Sequence, residues 1–286
     1  EVAEISGPGL FYRFREAECW LERVLAQTLE RDVGSCQSGL RLRIVDATVI
    51  TGPGSQGTDW RAHVSIDPRS GGLKAVELTD GHGGEGYERH HFREGEIVIG
   101  DRAYATARGI YRMKQLQADV IARLNPHAIR ICDPERRVVR LGAWEAKVPL
   151  VGVVEFDLLI PIPPQRRSKT HKSWKLADAE DWIPVRLVAA RTRKGEVIWV
   201  ITTVAREILS ASLVLRLYRY RWQIELFFKR LKSLLHLDEL PTRDGPTAKS
   251  WMLARFIAAA LAQKLLEPNG SLSPWGYELR EAGVHQ

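Results

Sequence analysis

Apolar residues recur at helical spacing near both ends of the chain. The first such stretch predicts an amphipathic helix over residues 14–30. Its apolar side holds Leu21, Val24, Leu25 and Leu29. The same spacing returns over residues 205–236 and 247–266, where it predicts long helices. The pattern therefore places helical segments on either side of a different kind of region.

The stretch between residues 39 and 129 is patterned as strands. RLRIVDATVI, HVSIDP, LKAVEL and GEIVIGD are short apolar or alternating runs separated by turn residues. A helix over residues 103–117 and a further strand, ADVIARL, follow them. Strands followed by a strand–helix–strand unit predict an α/β layered fold, with a mixed sheet flanked by helices.

Residues 130–203 combine strand-like runs with loops. VVRLGAWEAKVPLVGVVEF and VRLVAARTRKGEVIWVITT lie on either side of the punctuation PIPP and a basic run, which predicts an inserted β-strand-rich subdomain. We divide the chain into a remnant of an N-terminal helical region (1–38), the first part of a core (39–129), the insertion (130–203) and the second part of the core with the C-terminal helix (204–286). Since the sequence starts at Glu1 without a methionine, we expect the N-terminal region to be incomplete.

Charge and cysteine usage narrow the choice of partner and compartment. The 286 residues carry a net charge of +7, which favours a polyanionic partner, nucleic acid before a membrane. Three cysteines without a CxxC pair are typical of a protein in a reducing cytoplasm. No apolar stretch approaches the ~18 residues of a membrane span. We expect a cytoplasmic protein without a membrane partner.

Two aspartates are associated with apolar strands. Asp46 interrupts IVDATVI, and Asp101 follows the strand EIVIG. A carboxylate is costly to bury unless a metal ion or another partner compensates its charge. A single aspartate at the end of a strand would simply turn to solvent, but two such ends on adjacent strands would bring both acids to one edge of the sheet.

A third acid stands in a basic helix. Within LRLYRYRWQIELFFKRLKSLL, steps of three or four residues place Tyr218, Arg221, Glu225, Lys229 and Lys232 on one stripe. Between residues 216 and 232 there are six Lys or Arg residues and a single acid. A neighbouring apolar stripe is available to pack on the sheet: Ile224, Phe228, Leu231 and Leu235. Taken alone, the charged stripe favours a solvated helix face with intrahelical pairs, but a single Glu framed by cations, together with the two aspartates, favours a site.

Three carboxylates from separate parts of the chain match the requirement of two-metal phosphoryl transfer. Mg²⁺ prefers oxygen ligands, and two ions about 4 Å apart activate an attacking hydroxyl and stabilise the leaving oxygen. We therefore predict that Asp46, Asp101 and Glu225 hold two Mg²⁺ ions, with Mn²⁺ able to substitute. The neighbouring cations would then contact DNA phosphates.

The same residues resemble a known family. The spacing of Tyr218, Arg221, Glu225 and Lys232 is similar to the YREK signature of the insertion-sequence-four family of DDE transposases. The segments VDATVI, GTDWRAH and GDRAYA are also similar to that family, and the resemblance covers about residues 7–266. It implies a ribonuclease-H-like core that is interrupted by a β-strand insertion between the second aspartate and the glutamate.

The resemblance also implies roles and partners. Tyr218, Arg221 and Lys232, joined by Lys229, would contact DNA near the cleaved end, and the three acids would bind metal. Trp199, which precedes VITT, resembles a tryptophan that stacks on a displaced base when family members form hairpins, although its spacing in the strand taken alone slightly favours a core residue. The expected partners are double-stranded DNA, as transposon ends and as target, and a second copy of the chain in a homodimer on paired ends. Such a protein would be bacterial and nucleoid-associated when bound to DNA.

Other motifs carry less weight. GHGGEG lacks the GK[ST] ending of a phosphate loop and is interpreted as a flexible turn, and GPGSQG does not fit a GxSxG elbow. The adjacent His90 and His91 are interpreted as a surface pair. A basic run with one tryptophan is either a solvated loop or a segment that follows the DNA backbone. Its residues are Arg166, Arg167, Lys169, Lys172 and Lys175, with Trp174.

Three hypotheses about function remain. The first is a transposase that cleaves and transfers DNA strands by two-metal phosphoryl transfer. The second is a nuclease of the ribonuclease-H fold that cuts without joining. The third is a non-catalytic DNA-binding remnant of a transposon, although the presence of all three acids argues against it.

Overall fold

The computed structural model describes residues 6–30, 39–164 and 174–266, and these residues form two compact units. Of the described residues, the first unit comprises 6–30, 39, 44–84 and 222–266, and the second comprises 40–43, 85–164 and 174–221. No described helix is long and apolar enough to cross a bilayer.

The first unit contains an antiparallel group of three strands. They are β1 (Arg41–Ile50), β2 (Trp60–Ile66) and β3 (Leu73–Asp80), in the order β3-β2-β1. The predicted strand runs in this region are thereby confirmed. After two half-buried residues, β2 is buried continuously from Ala62 to its end, where Val64 and Ile66 are almost completely enclosed. The group thus contributes to a core rather than to a solvated hairpin.

Four of the described helices belong to the first unit. They are α1 (Gly7–Glu16), α2 (Glu18–Glu30), α5 (Trp222–Leu235) and α6 (Gly245–Leu266). The Lys249 ammonium of α6 pairs with the carboxylates of Glu18 and Glu22 at 2.7 and 2.8 Å, which ties α6 to α2. The single helix predicted over residues 14–30 is wrong in its start, because a helix begins at Gly7 under a Ser6 N-cap. The chain then turns at residue 17.

The described part of the second unit contains five strands and two α-helices. The strands are β4 (Glu96–Gly100), β5 (Asp119–Arg123), β6 (Val153–Ile162), β7 (Asp181–Arg191) and β8 (Val197–Thr202). Their order is β4-β5-β8-β7-β6, with β4 and β5 parallel and the other neighbours antiparallel. Helix α3 (Ala107–Gln115) connects the two parallel strands, and α4 (Ala211–Arg219) follows β8. The predicted strand–helix–strand unit is confirmed.

The long helix predicted over residues 205–236 is wrong, because it is two helices. α4 ends at Arg219 and α5 begins at Trp222. Between them the backbone N–H groups of Tyr220 and Arg221 donate to carbonyls three residues back, at 3.0 and 3.1 Å. Because a 3₁₀ turn has about 3.0 residues per turn and an α-helix about 3.6, successive side chains are rotated further about the helix axis in the turn. The predicted stripe from Tyr218 to Lys232 is therefore not one continuous helix face.

Candidate active site

Asp46 lies in the middle of β1, where it pairs with Val64 of β2. Its side chain is half-buried, between the buried Val45 and Thr48, and one carboxylate oxygen accepts a hydrogen bond from the Ala47 N–H at 2.8 Å. The expectation that both aspartates stand at strand ends is wrong for this residue, because β1 continues to Ile50. A half-buried carboxylate within a strand is costly unless something compensates its charge.

Asp101 directly follows β4, as predicted. All five residues of β4 are buried, and the Asp101 side chain is half-buried at the point where the strand ends. One of its oxygens accepts a hydrogen bond from the Ala103 N–H at 2.7 Å, which closes a tight turn before α3. Gly100 has no room for a side chain, since an added Cβ would lie 2.8 Å from Cβ of Tyr104. The local sequence thus fixes the carboxylate at the end of a packed strand.

Tyr218 interacts electrostatically with Arg221, Arg123 and Asp101 in the second unit. Burial raises the pKa of Tyr218, while the Arg221 and Arg123 guanidinium groups oppose that rise and the Asp101 charge adds to it. Tyr218 also shares a side-chain hydrogen bond with Arg221. Its hydroxyl therefore keeps its proton at neutral pH and can donate a hydrogen bond.

Arg123 is a member of this group that the sequence analysis missed. It ends β5, and the preceding Ala122 pairs with Gly100 of the parallel strand β4. The carboxyl ends of parallel strands lie at the same edge of a sheet, so Arg123 and Asp101 leave neighbouring strands at that edge. The signal was present in the sequence as a cation closing the apolar run DVIAR.

Trp199 lies beside the end of β5. Val200 pairs with Arg123, and the Leu124 N–H donates to the Trp199 carbonyl at 2.9 Å. Because β8 runs antiparallel to β5, this places Trp199 at the sheet edge that Asp101 also occupies. The residue is half-buried, whereas the following Val200 and Ile201 are fully buried.

Helix α5 carries Glu225 in its first turn, and Glu225 and Lys229 are exposed. The apolar stripe packs as predicted, with Ile224, Phe228 and Leu231 buried. Lys232 is half-buried and donates to the Val49 carbonyl of β1 at 3.3 Å. This contact connects the end of α5 to the strand that holds Asp46.

The acidic side chains include a group suited to a metal ion. Within the second unit, Glu85 and Asp101 are half-buried, and each offers a carboxylate oxygen within 4.8 Å of one from the other. Carboxylate oxygens are the ligands that hard divalent cations prefer. Glu225 is not a member of this group. Glu85 was missed by the sequence analysis because it belongs to GHGGEG, which was interpreted only as a turn.

Two minor expectations have different outcomes. The interpretation of His90 and His91 as a surface pair is wrong for His90, because His90 is buried with its ring near those of Phe92 and Tyr104. The basic run falls mostly in residues 165–173, which lie outside the described residues. Of its members that are described, Trp174 stacks against the Arg130 guanidinium at 4.6 Å.

Comparison with known proteins identifies the family. The family model described as "Transposase DDE domain" matches residues 37–261. The putative transposase InsL of insertion sequence element IS186A from Escherichia coli K12 is 31% identical over 309 aligned residues, which cover 96% of this chain and 80% of the relative. The transposase of insertion sequence element IS421 from Escherichia coli is also 31% identical, covering 96% and 79%.

A solved structure supports the fold class. The piggyBac transposase in its synaptic complex with hairpin DNA superposes with a TM-score of 0.52 at 6% identity, covering 93% of this chain and 55% of that one. This likeness concerns the fold alone. It confirms the predicted α/β class, a ribonuclease-H-like mixed sheet flanked by helices. The family model and the two relatives show that the chain belongs to the transposase DDE domain family and is a metal-dependent, DNA-cleaving and strand-transferring transposase.

Proposed function

We propose that Asp46, Asp101 and Glu225 hold two divalent ions, Mg²⁺ or in its place Mn²⁺, with which the chain cleaves and transfers strands at transposon ends. The observation that carries this proposal is the half-buried Asp101 carboxylate at the end of β4, which lies within 4.8 Å of a second carboxylate, that of Glu85. Two like charges so close together repel one another, and a bound cation removes that cost. The donor set, made only of carboxylates, fits Mg²⁺ rather than a softer metal ion.

The position of α5 supports the inclusion of Glu225. Lys232 contacts Val49, and Glu225 lies two helical turns before Lys232 in α5, a distance of about 10 Å along the helix. Three residues back along β1, also about 10 Å, lead to Asp46. A helix running alongside the strand in the same direction therefore brings Glu225 towards Asp46, which is the arrangement that we propose. Both elements belong to the first unit.

In this proposal the side chains around the acids orient the DNA. When bound, the two ions supply activation of the attacking hydroxyl and stabilisation of the leaving oxygen. Arg221, Lys229 and Lys232 offer positive charge to phosphates near the cut. Tyr218, which keeps its proton, donates a hydrogen bond to a phosphate oxygen. Arg123 adds a further cation at the edge that holds Asp101.

Trp199 is proposed to stack on a base displaced near the cut. Its position beside the end of β5, together with its partial exposure, is compatible with that role. Stacking of one base on an aromatic ring contributes about 1–3 kcal/mol. The stacked base would hold the strand in the conformation that hairpin formation requires.

The proposed substrate is double-stranded DNA bound by a homodimer on paired ends. The net charge of +7 favours such a polyanionic partner. Because the named relatives are bacterial, the DNA that we propose is that of the bacterial nucleoid.

The substitution Glu225→Gln tests this proposal, since it removes a ligand charge while leaving the shape of the side chain. We expect metal-dependent nicking of plasmid DNA to be abolished and binding of a DNA duplex, measured by fluorescence anisotropy, to be retained. The matched control is Glu207→Gln, at an exposed glutamate before α4, which should nick normally. Normal nicking by Glu225→Gln would refute the assignment.

A further inference from the structure

The segment between β3 and β4 brings a second acid and a buried hydroxyl close to Asp101 in the second unit. Glu85 offers a carboxylate oxygen within 4.8 Å of one from Asp101. Two residues later, Tyr87 begins a short 3₁₀ turn and is completely buried. Neither residue belongs to the three acids or the basic helix that the proposed function uses.

The Tyr87 side chain is directed towards the end of β4. Its hydroxyl oxygen lies 3.3 Å from the position that a Cβ on Gly100, the residue before Asp101, would occupy. Burial, and to a smaller extent the charge of Asp101, raises the pKa of Tyr87, so the hydroxyl keeps its proton and is a donor. The ring packs against Tyr104 at 5.3 Å between centroids, which fixes its direction.

The Tyr87 hydroxyl has no hydrogen-bond partner among the described residues. A buried hydroxyl without a partner is costly, and such groups in native proteins have a bound water, an ion or a functional role as their explanation. Here the charge of Asp101, a carboxylate at the proposed metal site, acts on the hydroxyl. The orphaned donor and the pair of acids are separate observations that point to the same place.

We propose that Glu85 is a further ligand of the metal ion held by Asp101, and that Tyr87 is a positioning residue whose hydroxyl donates to the Asp101 carboxylate in the metal-bound state. This rests on the proposed function, which places a metal ion at Asp101. One carboxylate oxygen of Asp101 would face the ion while the other accepts the hydrogen bond from Tyr87. Such outer partners fix the orientation of a ligand and raise its affinity.

Glu85 could be a metal ligand or a residue that holds its loop together, and substituting it affects the stability of the metal-free protein differently in the two cases. A ligand that is repelled by Asp101 in the absence of metal should cost stability, so Glu85→Gln should leave the melting temperature of the metal-free chain unchanged or higher. A glutamate that only holds its loop together should lower that temperature when it is changed. This comparison separates a binding role from a structural one.

The test is the affinity of the full chain for Mn²⁺ in the absence of DNA, measured by isothermal titration calorimetry. We expect Glu85→Gln to weaken Mn²⁺ binding by about tenfold or more, and Tyr87→Phe by about tenfold, the lower end of the range for outer partners of a metal ligand. The matched control is Glu88→Gln, an exposed glutamate of the same segment, which should bind Mn²⁺ as the unmodified chain does. Glu85→Cys should regain binding with Cd²⁺, which prefers thiolate ligands.

The outcomes separate this inference from the function on which it rests. If Glu85→Gln binds Mn²⁺ normally while Asp101→Asn does not, the metal site stands and Glu85 is not a ligand. If Asp101→Asn itself binds Mn²⁺ normally, the proposed metal site is wrong. If Glu85→Gln weakens binding but also lowers the melting temperature of the metal-free chain, and Cd²⁺ does not rescue Glu85→Cys, the role of Glu85 is structural.

Discussion

Arg186 connects the sheet of the second unit to the segment that begins α4. It is buried in β7, and its guanidinium contacts Glu155 at 2.5 Å and donates to the carbonyls of Val204 and Leu209, both at 2.9 Å. Residue 209 immediately precedes Ser210, the N-cap of α4. Because Tyr218 lies in the last turn of α4, we expect Arg186→Met to destabilise the fold and to displace Tyr218.

The size of the effect follows from the contacts that are lost. Removing one partner of a buried ion pair costs about 3–5 kcal/mol. Glu155 would keep its contact with Arg206 at 3.2 Å, so we expect the lower end, about 3 kcal/mol. Arg206 is itself 47% exposed, and Arg206→Met should cost only about 0–1 kcal/mol.

Urea unfolding followed by far-ultraviolet circular dichroism measures both variants. The expected result is a large decrease in the free energy of unfolding for Arg186→Met and a small one for Arg206→Met, with unchanged denaturant dependence. Nicking activity should fall in Arg186→Met even under conditions where the chain remains folded. Equal stability of the two variants would show that the guanidinium does not hold α4 in place.

Two further predictions concern DNA. Arg221→Ala and Lys232→Ala should each weaken duplex binding and reduce the slope of log affinity against log salt by about one unit, measured by anisotropy over a salt series; an unchanged slope would assign these residues to a structural charge network. Trp199→Ala should impair hairpin formation on a pre-nicked end more than first-strand nicking, as resolved on denaturing gels. Equal loss of both steps with a lower melting temperature would make Trp199 a core residue.

Strand positions could be predicted from the sequence because their burial is expressed in local composition. EIVIG is an uninterrupted apolar run, and all five residues are buried in β4. Asp101 could be recognised because an acid directly after such a run needs a physical reason. The apolar stripe of α5 was likewise visible in the spacing of Ile224, Phe228 and Leu231.

The remaining features depend on contacts that local patterns do not contain. The turn between α4 and α5 has neither glycine nor proline at residues 220 and 221, so nothing in the sequence marks the change from four-residue to three-residue hydrogen bonds. Glu85 stands in a glycine-rich turn and becomes notable only through its distance from Asp101. His90 has a polar side chain, yet its ring packs beside the rings of Phe92 and Tyr104, and Tyr104 follows much later in the chain.

The most direct test of the central claim is the nicking of supercoiled plasmid DNA in the presence of Mg²⁺ or Mn²⁺, comparing the unmodified chain with Asp101→Ala. Two-metal catalysis by the acidic group predicts that the unmodified chain converts supercoiled plasmid to the nicked form, that a chelator stops the reaction, and that Asp101→Ala gives no nicking while still binding duplex DNA. Nicking by Asp101→Ala at the rate of the unmodified chain, or nicking that continues in the chelator, would contradict it.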